Sequence, residues 1–82
     1  MYYVYILQSI RVPLKQYIGA TKDLRNRFNE HNRGESHSTA KFRPWKIVAY
    51  VAVENRLTAF ALEKYLKSGA GREFIRKHFV KK

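Results

Sequence analysis

Apolar and aromatic residues run almost unbroken through "YYVYILQ" at 2–8 and return, over fewer positions, in "QYIGA" at 16–20. Such density of β-branched and aromatic side chains favours extended backbone, so both segments predict strands. Between them "SIRVPLK" holds Pro13 and two cationic residues and reads as a hairpin loop. "KIVAYVAV" at 46–53 predicts a third strand, and because it is apolar on both faces it is expected at the centre of the sheet. Gly19, inside a strand pattern, predicts close approach of another backbone or a ligand.

Elsewhere the period becomes helical. "KDLRNRFNEHNR" at 22–33 predicts a first helix, with Thr21 as N-cap, Asp23 in the first turn and Gly34 just past its end. The span 34–45, "GESHSTAKFRPW", is polar and reads as irregular. "LTAFALEKYLK" predicts a second helix, stopped by Gly69 and Gly71. "REFIRKHFV" at 72–80 predicts a third, with Phe74, Ile75, His78 and Phe79 at helical spacing. The order β-β-α-β-α-α predicts an α/β (α+β) fold: one domain over 1–82, a small antiparallel sheet covered by helices.

The helical stripes are not wholly apolar. Leu24, Arg27, Phe28 and His31 fall at i, i+3, i+4 and i+7, a stripe that should face the core. The neighbouring Arg25, Asn29 and Glu30 point elsewhere and read as solvated. In the second helix Ala59, Leu62, Glu63 and Leu66 repeat the spacing, so Glu63 also points at the sheet. An unpaired buried charge costs several kcal/mol, which a small domain tolerates only if the charge is paired or serves a site. One arrangement that meets this is an Arg27–Glu63 ion pair with His31 as a hydrogen-bonded core residue. The other is a pocket, because both helices aim ionisable groups at a sheet that carries Tyr5 and Tyr17.

Charge sharpens the second reading. The chain of 82 residues carries 17 Lys and Arg against 6 acids, a formal charge of +11, which calls for a polyanionic partner, most simply nucleic acid. Cysteine is absent, so disulfides and thiolate metal sites are excluded, and His31, His37 and His78 lack zinc-ligand spacing. Met1 leads into "YYVYIL" without a basic leader, and no apolar run approaches the roughly 20 residues of a membrane span. A soluble, cytoplasmic protein is expected.

Each polar residue then has a task in phosphodiester hydrolysis. A fixed guanidinium such as Arg27 can hold two non-bridging oxygens of a pentacovalent phosphorane. A divalent cation needs a hard carboxylate, and among the 6 acids Glu63 is the best placed, with Glu54 its only rival. One carboxylate implies one metal with water filling most of its shell. A tyrosine with an ordinary pKa near 10 could relay a proton from attacking water if His31 accepted the phenolic one.

Val4-Tyr5-Ile6, followed by Tyr17-Ile18-Gly19, resembles the paired motifs of the GIY-YIG nuclease domain. Thr21, Leu24, Arg27 and His31-Asn32 follow the second motif, and Glu63 lies on the later helix, so residues 2–67 are covered. "RPWKIVAYV" and "ALEKYLKSGAGREF" also resemble small stand-alone bacterial members, similar to the N-terminal nuclease domain of an excision-repair endonuclease subunit. The resemblance implies a three-stranded antiparallel sheet and DNA strand cleavage with a single Mg²⁺ or Mn²⁺. Carried over by position, Tyr5 is the general base or proton relay and Tyr17 positions water or phosphate. Arg27 stabilises the transition state, His31 supports proton transfer and Glu63 holds the metal. Two departures stand out: the first motif reads Val-Tyr-Ile, and the asparagine that many members carry after the metal-ligand helix is replaced by Lys67 or Ser68, the last asparagine being Asn55.

Lys22, Arg25, Arg33, Lys41, Arg43 and Lys46, with Lys15, are expected to rim the site and hold backbone phosphates without reading bases. Trp45 is expected to pack under the loop before it. The substrate implied is DNA, with branched, nicked or damaged duplex as its forms, and target choice would come from a protein partner. The alternative is a non-catalytic, basic nucleic-acid-binding module that retains the nuclease fold.

Overall fold

The computed structural model describes residues 1–79; Val80, the end of the third predicted helix, lies outside them. The elements are β1 (Tyr2–Ser9), β2 (Gln16–Thr21), α1 (Leu24–Arg33), α2 (His37–Ala40), β3 (Trp45–Val53), α3 (Arg56–Lys67) and α4 (Gly69–His78). The three strands form one antiparallel sheet in the order β2-β1-β3. β1 is therefore the central strand, and β3, expected at the centre, is an edge. Its run of apolar residues misled because Tyr50 and Val51 are exposed at 56% and 47%, whereas β1 is buried on both faces.

Alternation along β1 divides the core in two. Val4 and Ile6 pack with Ala59 and Leu66 of α3 and Ile75 of α4. Tyr5 and Leu7 face the other way, against Leu24 and Phe28 of α1, Phe42 and Trp45. The two helices expected to converge on the sheet thus cover opposite faces of it.

Local chemistry explains the boundaries. Asp23, rather than Thr21, is the N-cap of α1, its carboxylate accepting from the Asn26 amide at 3.1 Å. Thr21 sits a step earlier, its hydroxyl accepting from the Asp23 amide at 3.1 Å. Gly34 closes α1 at φ 81°, as its position predicts. The stretch read as irregular contains the single turn of α2, which Ser36 begins. Gly69 and Gly71 do not stop a helix. Ser68 ends α3, and its hydroxyl accepts from the Gly71 amide at 3.2 Å to start α4. Gly71 is needed because any Cβ there would collide with the Tyr65 carbonyl and the Leu66 backbone, where α4 crosses α3.

Asn32 fastens α1 to the start of β3: its Oδ1 accepts from the Trp45 amide at 2.6 Å and its Nδ2 donates to the Trp45 carbonyl at 3.1 Å. The Trp45 ring lies buried under the preceding loop, its Nε1–H donating to the Thr39 carbonyl at 2.8 Å. Asn32→Ala removes both bonds and strands backbone groups of a buried residue, at a cost of about 2 kcal/mol. For a domain of this size that lowers the melting temperature by roughly 8–16 °C, measurable by circular dichroism.

Candidate active site

Tyr5 stands at the middle of β1, paired across the sheet with Gly19 of β2. Its ring lies over that glycine: a Cβ at residue 19 would come within 2.5 Å of the phenolic oxygen. The close approach expected at Gly19 is thus made by a side chain, not by a backbone or a ligand. So placed, the Tyr5 hydroxyl meets His31 Nε2 at 2.9 Å, and His31 Nδ1 meets the Thr39 Oγ1 at 2.7 Å. The Thr39 hydroxyl donates onward to the Ser36 carbonyl at 3.3 Å. With that hydrogen directed to Ser36, His31 Nδ1 carries the proton, Nε2 accepts and Tyr5 donates. Tyr5, His31 and Thr39 are all nearly inaccessible, at 1%, 0% and 1% exposure.

Burial pushes the Tyr5 phenol up to about 12, while Arg27 alongside it pulls the other way and Tyr17 and Glu63 add to the rise. Burial, reinforced by the Arg27 charge, holds the His31 imidazole below its usual range. At neutral pH the pair is therefore a neutral phenol donating to a neutral imidazole. Tyr17, half-buried, closes the cluster with its ring 4.9 Å from that of His31 and 6.3 Å from that of Tyr5.

Arg27 is half-buried beside the phenol, and its guanidinium donates to Glu30 Oε1 at 2.8 Å. Glu30, read as solvated, takes part in the site's edge, and it also accepts from Asn26 Nδ2 at 2.9 Å. The Arg27–Glu63 ion pair does not form. Glu63 instead holds Lys67 through Oε2 at 2.9 Å, one helical turn away. α3 packs on the face opposite α1 but also against β2, and the Glu63 charge is still felt at the Tyr5 phenol.

As a metal donor set this is sparse. No group of three or more His, Cys, Asp or Glu able to hold an ion occurs among the described residues. Glu63 alone, a hard oxygen donor whose side chain is 22% exposed, suits a cation that keeps most of its water, as Mg²⁺ does. Asn55 is occupied as the N-cap of α3, accepting from the Thr58 amide at 2.9 Å, and is not free to substitute for an asparagine beyond that helix.

The expected cations separate into two groups at opposite ends of α1. Lys22, its ammonium 5.6 Å above the Tyr2 ring, and Arg25 stand at the first turn. At the other end Arg33 pairs with Glu35 at 2.6 Å, Lys41 lies 5.7 Å over the Phe42 ring, Arg43 covers Gly34, and Lys46 is exposed on β3. Lys15 joins them 5.0 Å above Phe42. Thr39 escaped the sequence reading. It sits in a short polar stretch without periodicity, and only the return of the chain at Trp45 brings it onto His31.

The GIY-YIG catalytic domain is the protein-family model that matches, over residues 1–77. Over 73 residues the chain is 38% identical to the structure-specific endonuclease subunit SLX1 of Candida dubliniensis, covering 80% of this chain and 26% of that protein. It spans about a quarter of the length of that relative. The solution NMR structure of the UPF0213 protein BH0048 from Bacillus halodurans is similar at a TM-score of 0.55 and 28% identity, covering 94% of this chain and 84% of that one.

The His31 environment sets a pH dependence of stability. Its folded pKa is depressed, so as pH falls through about 6.5 the unfolded chain takes up a proton that the folded ring refuses. The stabilisation is complete above that pH and declines below it. An NMR titration should find His31 the late-protonating imidazole, and the melting temperature of the His31→Gln variant should fall less steeply than that of the parent from pH 7 to 5.

Proposed function

The chain belongs to the GIY-YIG family and is in class a GIY-YIG-type endonuclease domain; on that premise we propose that it hydrolyses DNA phosphodiester bonds at the Tyr5–His31–Arg27 cluster. The observation that carries this reading is the hydrogen-bonded line Tyr5 Oη–His31 Nε2, with His31 Nδ1 on Thr39 and the half-buried Arg27 guanidinium beside the phenol.

In the proposed mechanism Tyr5 acts as a relay. With its pKa near 12, roughly one phenol in 100,000 is ionised at neutral pH, so a standing phenolate is too rare to serve as base. The attacking water instead gives a proton to the Tyr5 oxygen as the phenolic proton passes to His31 Nε2. The water oxygen bonds to phosphorus, the bond to the leaving oxygen breaks, and that oxygen takes a proton from solvent. Arg27 holds the non-bridging oxygens of the phosphorane, and its link to Glu30 fixes the guanidinium for the task. Tyr17, on the same side of the sheet, positions water or phosphate. A divalent cation held by Glu63, Mg²⁺ or Mn²⁺, would neutralise charge on the phosphate and the leaving oxygen.

Lys22, Arg25, Arg33, Lys41, Arg43 and Lys46 hold backbone phosphates on either side of the cluster. Residues 1–82 form one nuclease domain, acting in the cytoplasm. The name of the SLX1 relative, a subunit of a structure-specific endonuclease, supports branched or nicked DNA as substrate, a role in DNA repair and a partner protein that supplies target choice. The Glu63–Lys67 pair and the missing asparagine favour a second reading, a nucleic-acid-binding module without catalysis.

Labelled branched, nicked and plain duplex DNA with Mg²⁺ or Mn²⁺ discriminates between them. Metal-dependent cleavage is expected, reduced about 100- to 1,000-fold in Arg27→Ala and abolished in Glu63→Ala, with both variants melting close to the parent. Salt-sensitive binding without cleavage on every substrate, with and without candidate partners, would establish the binding module. For Tyr5→Phe, which keeps the ring over Gly19 but lacks the hydroxyl, the rate should fall while binding stays unchanged.

A further inference from the structure

A hollow of about 520 Å³ opens beside the cluster, between the first turn of α1 and the β1–β3 side of the sheet. Tyr3 and Tyr50 line it, their rings edge to face with centroids 6.0 Å apart. Phe28 of α1 lies across from them, and Lys22 and Arg25 stand at the rim. Asp23 is the one acid in the lining, and its carboxylate is occupied in capping α1. Tyr3 and Tyr5 share a face of β1, two residues and roughly 7 Å apart, while Leu24 and Phe28 flank Arg27 on the stripe of α1. The hollow therefore adjoins the phosphate position at about the distance of a neighbouring nucleotide.

Its chemistry differs from that of the other cationic surfaces. There Arg33 pairs with Glu35, and Lys15 and Lys41 share the single half-buried ring of Phe42. Here an aromatic pair, with Tyr50 56% exposed, shares with Lys22 and Arg25 the lining of a cavity large enough for a base. Aromatic faces backed by Lys and Arg bind single-stranded nucleic acid by stacking, which works for any base because each has a π-face. In a duplex those faces are already stacked.

We propose that this hollow is a stacking subsite for an unpaired DNA base next to the scissile phosphate, which directs the chain to substrates with a single-stranded segment. The word "scissile" rests on the nuclease reading above; the stacking does not. Lys22 and Arg25 take the phosphates on either side of the base, and the subsite is indifferent to base identity.

Metal-free binding tests the subsite independently of catalysis. The probes are a short oligodeoxythymidylate, the same strand with its central nucleotides abasic, the matching oligouridylate and a blunt duplex. Tyr50→Ala, at an exposed position, should weaken binding of the oligodeoxythymidylate about tenfold and leave its salt slope unchanged. Removal of the bases should cost the wild type a similar factor, and Tyr50→Ala should lose nothing further on the abasic strand. Lys22→Gln should instead weaken every probe and lower the salt slope by about one. Equal losses on blunt duplex and single strand, or additive losses from Tyr50→Ala and base removal, would overturn the subsite. Tighter binding of the oligouridylate than of the oligodeoxythymidylate would overturn the assignment to DNA. If the stacking cycle holds and no DNA is cut, the nuclease reading fails alone; if DNA is cut and the cycle does not hold, the subsite fails alone.

Discussion

The hydrogen bond from the Tyr5 hydroxyl to His31 Nε2 joins the central strand to α1 across a layer that is otherwise apolar. Leu7 and Trp45 form one core cluster with Tyr5, and Leu24 and Phe28 pack against it. Loss of either partner would leave a buried polar group unsatisfied, and among the described residues no buried side-chain nitrogen or oxygen lacks a partner. Several local choices answer to this one bond. Residue 19 has no side chain because the phenol passes over it. α2 exists to bring Thr39 to the far nitrogen of the imidazole, and Trp45 holds α2 in place through its indole bond to the Thr39 carbonyl.

The same burial shapes the chemistry. Desolvation raises the phenol and lowers the imidazole, so the resting pair is neutral, and the phenolic proton passes to the imidazole without leaving a phenolate only when the attacking water replaces it. Arg27 is the charged member of the group, and it lies at the edge, with its carboxylate partner Glu30 on the adjacent turn. Charge is kept where solvent can reach it, and the neutral donors and acceptors lie deeper.

Strand and helix positions were readable because hydrophobic period is a local property. β1, β2, α1 and α3 lie within a residue or two of where "YYVYILQ", "QYIGA" and the Leu24 and Ala59 stripes place them. Tyr5, His31 and Arg27 were also visible, since polar groups on an apolar stripe need a reason to be there. What escaped depends on tertiary context. Whether β3 was central or at an edge could not follow from its own residues, because an edge strand can be as apolar as a central one when it lines a groove. Gly69 and Gly71 suggested a stop because helix interiors disfavour glycine; close crossing of α3 and α4 overrides that preference at Gly71. Thr39 and Glu30 were hidden because neither belongs to a periodic stripe, and the packing of α1 and α3 on opposite faces was hidden because spacing gives a face of a helix, not a face of a sheet.

β3 has a further consequence. Among the described residues it is an uncovered edge that carries Tyr50 and Val51 beside an apolar groove formed with Leu62, Tyr65, Phe74 and Phe79. An exposed strand edge of this kind is a template for self-association. Pairing two such edges would bring together two bodies of formal charge +11, a repulsion that weakens as salt rises. The excess of lysine and arginine is therefore also a colloidal safeguard: the charge that draws the chain to a polyanion keeps its sheets from joining one another in free solution.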